Sequence, residues 1–248
     1  MKISIIQMKV EWHDMEKNLI RADELINSLP GADLYLLPEM FPSGFSMDPQ
    51  DIADSHGKVL EWMKRMSKQH EAALCGTIAV EENGNYYNRM YFVKPDGQVT
   101  VYDKRHLFTF AGEDKCYVHG EKRVVVEWKG VRILLQTCYD LRFPVFSRNQ
   151  GDYDMAVYLA SWPSARHDVW VTLLKARAIE NQCFVAGVNR IGDDPNCHYL
   201  GGSAVIDPYG RYIARSADET ESATMAIIDM QRLQKFRMKF PVLEDRDK

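Results

Sequence analysis

The sequence predicts an α/β protein in which two mixed β-sheets pack face to face with helices on their outer sides. Short apolar runs of strand length alternate with longer stretches of helical periodicity. Turn signals join several neighbouring strands as hairpins, so the sheets must contain antiparallel as well as parallel pairs. The two halves of the chain also repeat a loose β-α-β-α-β-β order, which fits a pair of stacked sheets better than one open, doubly wound sheet.

In chain order, residues 2–8 read as a buried strand. Residues 11–29 read as a helix with Met15, Leu19, Ala22, Leu25, Ile26 and Leu29 on one stripe and Pro30-Gly31 as its stop. Residues 34–37 make a short apolar strand ending at Pro38-Glu39, and 57–70 a second helix carrying Val59, Leu60, Met63 and Met66. Strand 72–80 turns back at Asn83-Gly84-Asn85 into 86–93, and Lys94-Pro95-Asp96-Gly97 turns again into 99–102. The second half resumes with strand 124–128, a Lys129-Gly130 turn, and strand 131–137 running into Cys138. A helix is expected after Pro144, a strand at 155–159, a long helix at 166–182 and a strand at 183–188. Asp207-Pro208-Tyr209-Gly210 joins hairpin strands 204–206 and 211–214; a last strand at 224–228 precedes a polar helix near 230–239. No low-complexity linker or run of like charge divides the chain, so residues 1–248 are expected to form one domain.

Composition narrows the function. With 31 basic and 35 acidic residues, the net charge of −4 leaves no basic field for a nucleic-acid backbone, and a membrane surface is an equally poor match. No run approaches the roughly 18 apolar residues of a membrane span. The apolar start is interrupted by Lys9, Glu11 and His13 too soon for a signal sequence, so a cytoplasmic location is expected. The five cysteines are scattered and form no CxxC pair, which argues against a disulfide framework or a zinc site. None of the fifteen glycines falls into a nucleotide-loop spacing, and no serine sits in GxSxG. His70-Glu71 begins a zinc-protease motif, but Leu74 stands where the second histidine belongs. Cysteine or carboxylate chemistry remains.

Cys138 is the candidate nucleophile. The strand before it delivers the thiol to a strand end, where α/β proteins place reacting groups, with the next backbone N–H groups able to converge on one point. Cys75 and Cys183 lie within apolar strands and read as structural, while Cys116 and Cys197 read as loop residues. A cysteine nucleophile needs a base and an oxyanion stabiliser. Glu39 ends one apolar strand and Lys104 another, which makes them the candidates; His106 or His119 would be the base in a Cys-His alternative.

Leu37-Pro38-Glu39-Met40-Phe41, Tyr102-Asp103-Lys104-Arg105-His106-Leu107-Phe108 and Cys138-Tyr139-Asp140-Leu141-Arg142-Phe143-Pro144 resemble, in order and spacing, the three signature segments of the nitrilase (carbon–nitrogen hydrolase) superfamily. The resemblance covers residues 2 to about 228. It implies a four-layer αββα sandwich, assembly as a homodimer, no cofactor or metal, and hydrolysis of amides or nitriles through a Glu-Lys-Cys triad. Carried over by position, Glu39 is the general base, Lys104 the oxyanion stabiliser with the Tyr139 backbone N–H as second donor, and Cys138 the nucleophile. The family's second glutamate matches Glu113, with Asp114 its close rival; His106 becomes a supporting or packing residue. A lysine lowers a nearby thiol pKa and a carboxylate opposes that, so Cys138 and Glu39 are expected to share one proton at rest.

Tyr-Asp-Leu-Arg-Phe-Pro after the cysteine, together with Ser161-Trp162-Pro163 and Val188-Asn189-Arg190, resembles the small-amide branches, closest to the bacterial ω-amidases. That implies a small 2-oxo dicarboxylic monoamide such as 2-oxoglutaramate or 2-oxosuccinamate as substrate. Arg142 or Arg166 would clamp its distal carboxylate, and Trp162 and Phe110 would form an apolar wall. Another carboxylate-bearing amide such as deaminated glutathione is the rival substrate. A non-catalytic binding protein on the same scaffold is the rival from a different class.

Overall fold

Alternation along each strand builds the layers. In the first strand, β1 (Lys2–Gln7), Ile3 and Ile5 face one way, and Ile6 faces the other. Leu34 and Leu36 of β2 (Leu34–Leu36) follow β1 onto the first face, whereas Tyr35 and the next residue, Leu37, take the second. The first face meets Ile133, Leu135, Val157, Leu159 and Val188 of the opposite sheet. The second packs on helices Met15–Ser28 and Lys58–His70 through Leu19, Ile26, Val59, Trp62 and Met63. Beyond the opposite sheet, Trp170 and Leu174 of helix His167–Glu180 close a third apolar layer with Tyr158, Val185 and Ile206. The order helix, sheet, sheet, helix is the expected αββα sandwich.

The computed structural model describes residues 1–246. After β2 come β3 (Ala73–Glu82), β4 (Asn85–Val93) and β5 (Val99–Asp103), which extend the first sheet in chain order. The second sheet holds β6 (Val125–Trp128), β7 (Val131–Thr137), β8 (Met155–Ala160), β9 (Phe184–Asn189), β12 (Ala204–Ile206) and β13 (Tyr212–Arg215), also in chain order. Strands β10 (Ile191–Asp193) and β11 (His198–Leu200) form a separate two-stranded ribbon. Parallel pairing joins β1, β2 and β3, and likewise β7, β8 and β9; hairpins make antiparallel pairs, and β9 also pairs antiparallel with the more distant β12.

Three features depart from the sequence reading. The last strand, β14 (Ser222–Ile227), starts two residues early and leaves its own half to pair antiparallel with β1 of the first sheet. The long second-half helix begins as a 3-10 turn at Ser164–Arg166 and becomes α-helical only from His167 to Glu180. The first helix starts at Met15, where the Asp14 carboxylate accepts the Lys17 amide at 3.1 Å, so residues 11–14 are loop. The β10–β11 ribbon has no clear signal in the sequence. Among the described residues no helix is long and apolar enough to cross a membrane.

Candidate active site

Four chain segments reach one place because they leave strands at the same end of the sandwich. Glu39 stands three residues after β2, Lys104 directly after β5, Cys138 directly after β7, and Ser161 directly after β8. Parallel register puts the carboxyl ends of β7 and β8 side by side, and β5 runs in the same sense as β2 because two antiparallel steps intervene. This is the strand-end crevice in which α/β proteins hold their ligands.

At its floor lies a closed polar cluster. The Lys104 Nζ donates to Glu39 Oε1 at 2.9 Å and to both Glu113 oxygens at 3.0 and 2.8 Å, and all three side chains are inaccessible to solvent. Burial alone would favour the neutral amine, but the carboxylates of Glu113 and Glu39 outweigh it and hold the ammonium charged, well above its ordinary range. Burial and the neighbouring Glu39 push the Glu113 carboxyl upward against the pull of Lys104. Asn88, on β4, donates from Nδ2 to Glu39 Oε1 at 2.7 Å and to Glu113 Oε1 at 3.1 Å. Glu39 Oε2 accepts the Ser161 backbone amide at 2.8 Å, and Glu113 accepts the Phe108 amide. Every lone pair facing the lysine is thus fixed, as a buried ion cluster requires. Asp114 has no part in this contact set.

Cys138 opens the 3-10 turn Cys138–Arg142 with φ of +42°, a left-handed conformation that costs energy for a side chain larger than glycine. Cys138 is 9% exposed, and its Sγ lies 4.0 Å from the Ser161 carbonyl. Burial raises its pKa well above the ordinary thiol value, and Glu39 raises it further; Lys104 opposes both and loses. That direction favours the thiol over the thiolate. Tyr139 N–H sits in the first turn of that helix, where amides lack intrahelical acceptors.

Above the thiol, a cleft is lined by Phe45, Phe108, Arg142, Trp162, Arg166 and Tyr199, among others. The Arg142 guanidinium lies 5.2 Å above the Trp162 ring, and that of Arg166 lies 5.3 Å from the Phe108 ring. Trp162 is itself pinned, with its indole N–H donating to the Arg166 carbonyl at 2.8 Å and its amide to Asn189 Oδ1 at 2.8 Å. Both arginines and Trp162 thus reach the cleft, as the sequence suggests. Phe110 does not: it is 85% exposed and lies outside the lining. The 3-10 turn Thr109–Ala111 carries it outward, and Phe108, two residues earlier, takes the wall instead.

Several contributors were not singled out from the sequence. Asn88 looks like one more polar residue in a strand, and Ser161 acts through its backbone amide, which no side chain reveals. Phe45 places its ring 5.0 Å from the Lys104 Nζ. Tyr199 and Cys197 arrive on the ribbon. His106 stacks on Phe143 at 4.0 Å and bonds Asp140, a supporting position rather than that of a base on Cys138. No cluster of three or more His, Cys, Asp or Glu suited to a metal ion occurs among the described residues.

A family model described as carbon-nitrogen hydrolase matches residues 2–238. An omega-amidase YafV of Yersinia enterocolitica is 45% identical, with 100% of this chain and 97% of the relative covered. A 2-oxoglutaramate amidase of Bacillus subtilis is 35% identical over 98% of this chain and 96% of its own. The crystal structure of XC1258 from Xanthomonas campestris, described as a CN-hydrolase superfamily protein with an arsenic adduct in the active site, superposes with a TM-score of 0.96 at 42% identity, covering 100% of this chain and 97% of that one. Fold, site and kinship converge: the chain belongs to the carbon–nitrogen hydrolase family and is an amide-cleaving enzyme.

Proposed function

We propose that the protein hydrolyses the terminal amide of a small 2-oxo dicarboxylic monoamide, 2-oxoglutaramate or 2-oxosuccinamate, to the 2-oxo acid and ammonia. The observation that carries this reading is the cleft itself: one thiol, Cys138, and two guanidinium groups, Arg142 and Arg166, line the same space. Guanidinium groups placed over aromatic rings at the cleft, as Arg142 is over Trp162 and Arg166 over Phe108, suit bidentate binding of a carboxylate. The kinship with an omega-amidase and a 2-oxoglutaramate amidase supports the same substrate.

The chemistry follows from the floor. Cys138 Sγ attacks the amide carbon as Glu39 takes the thiol proton. The charge that develops on the carbonyl oxygen is met by the Lys104 ammonium and the Tyr139 backbone N–H. Glu39 returns the proton to the departing nitrogen, the C–N bond breaks, and ammonia leaves a Cys138 thioester. Water, deprotonated by Glu39, attacks that thioester; the C–S bond breaks and the thiol regains its proton, releasing the acid. Glu113 accepts from Lys104 through both of its oxygens and keeps it charged. Homodimer assembly, implied by the family resemblance, is part of the same proposal and is read by light scattering.

Ammonia release from purified protein, compared for 2-oxoglutaramate, 2-oxosuccinamate, glutamine and deaminated glutathione with Cys138→Ala as control, tests the reading. Turnover concentrated on the 2-oxo monoamides and lost in Cys138→Ala is the expected result. Turnover of deaminated glutathione alone overturns the substrate, and full activity of Cys138→Ala overturns the thioester.

A further inference from the structure

Two residues past the nucleophile, the Asp140 side chain is buried and receives four donors. Its Oδ2 accepts from the Tyr102 hydroxyl at 2.6 Å and the Thr137 amide at 2.9 Å. Its Oδ1 accepts from the His106 amide at 2.9 Å and His106 Nδ1 at 2.7 Å. An ionised carboxylate has about four lone-pair sites, and here all are used. The donors come from two places. Thr137 is the residue before Cys138, whereas Tyr102 and His106 flank Lys104 two residues on either side.

We propose that Asp140 is a positioning residue that locks the cysteine-bearing turn of one sheet onto the lysine-bearing segment of the other, and so sets the distance between nucleophile and oxyanion donor. Two observations make this more than fold maintenance. Cys138 is held at φ of +42°, a conformation that persists only where its surroundings over-determine it, and the Asp140 bond to the Thr137 amide fixes the peptide immediately before it. Lys104 is anchored separately by Glu39, Glu113 and its own amide to the Asn88 carbonyl at 3.0 Å, and Asp140 is the side chain that joins the backbone beside Cys138 directly to the residues beside Lys104. Tyr102 stays a donor throughout, since burial and the adjacent Asp140 carboxylate raise its pKa well above the ordinary phenol range. His106 is clamped between Asp140 and the Phe143 ring, which orients Nδ1 toward the carboxylate.

The inference rests on Cys138 and Lys104 acting as proposed above, and the test separates the two. Steady-state ammonia release, per folded protein, is measured for Asp140→Asn, Tyr102→Phe, His106→Leu and His106→Asn with Cys138→Ala as control, on whichever amide the wild type turns over. Asp140→Asn is expected to lower kcat about a hundredfold, and Tyr102→Phe and His106→Leu about tenfold each, with KM within about threefold of wild type. His106→Asn, whose amide can donate where Nδ1 does, is expected to recover most of the loss seen with leucine. Should Asp140→Asn not fold, the single-bond variants carry the test. Normal kcat per folded site in Tyr102→Phe and His106→Leu, with only Tm lowered, overturns the positioning role while leaving Cys138 chemistry intact. Activity surviving in Cys138→Ala overturns the underlying mechanism and the inference together.

Discussion

Glu39, Lys104 and Glu113 at the floor of the cleft are shut off from solvent and fixed by several short hydrogen bonds each. Arg142 and Arg166 at its mouth are half-buried, sit over the rings of Trp162 and Phe108, and have no carboxylate partner among the described residues. The floor is saturated: its charges satisfy one another, and nothing there can change without leaving a buried charge unpaired. The mouth is unsaturated, with two guanidinium groups desolvated on one side and facing an open cleft on the other. A reaction common to many amides belongs to the first kind of surface, and the choice among amides to the second.

Substitutions at the two levels should therefore fail differently. Glu39→Gln removes the base from both half-reactions, and kcat is expected to fall about 10³- to 10⁴-fold in an ammonia-release assay. The same variant removes a carboxylate that raises the Cys138 pKa and leaves Lys104 in place, so thiolate absorbance should appear at lower pH than in wild type. Unchanged titration of the thiol would sever Glu39 from Cys138. Lys104→Met is expected to cost about 10²- to 10³-fold in kcat and, by leaving two buried carboxylates unpaired, about 3–5 kcal/mol in denaturant unfolding.

At the mouth, Arg142→Gln and Arg166→Gln should raise KM for a 2-oxo monoamide about 10- to 100-fold with little change in kcat, the loss of one charge-assisted contact to the substrate carboxylate. If both leave KM unchanged, the carboxylate is held elsewhere. Phe108→Ala should raise KM less, through loss of the surface on which Arg166 rests, while Phe110→Ala should alter neither kinetics nor stability beyond about 0.5 kcal/mol. A large effect of Phe110→Ala would mean that the exposed tip is covered in the working protein.

The same division explains what could be read from sequence. Glu39, Lys104 and Cys138 are legible because each interrupts or ends an apolar strand, and strand ends of a layered α/β fold converge. The layers are legible too, since the alternation of Ile3, Ile5 and Ile6 or of Leu34, Tyr35 and Leu36 assigns each side chain to a face. Asn88 is not, because its meaning lies in cross-strand neighbours that only the register of β3, β4 and β5 supplies. Phe110 misleads because a 3-10 turn, rather than an extended segment, follows Phe108. Tyr199 and Cys197 depend on a ribbon of two three-residue strands, too short for a periodic signal. Asp140 lies inside a recognisable motif, yet its four donors come from residues up to 38 positions away.

The return of β14 to the edge of β1 has a consequence for biosynthesis. Residues 2–7 leave the ribosome long before residues 222–227, the neighbour that covers their outer edge. Until then β1 presents unpaired backbone groups and an apolar flank, and the pairing carries one of the longest loop-closure distances the chain contains. The nascent first half is thus the aggregation-exposed stage of this protein's life, and the strand that ends it also ties the second half of the chain to the first sheet.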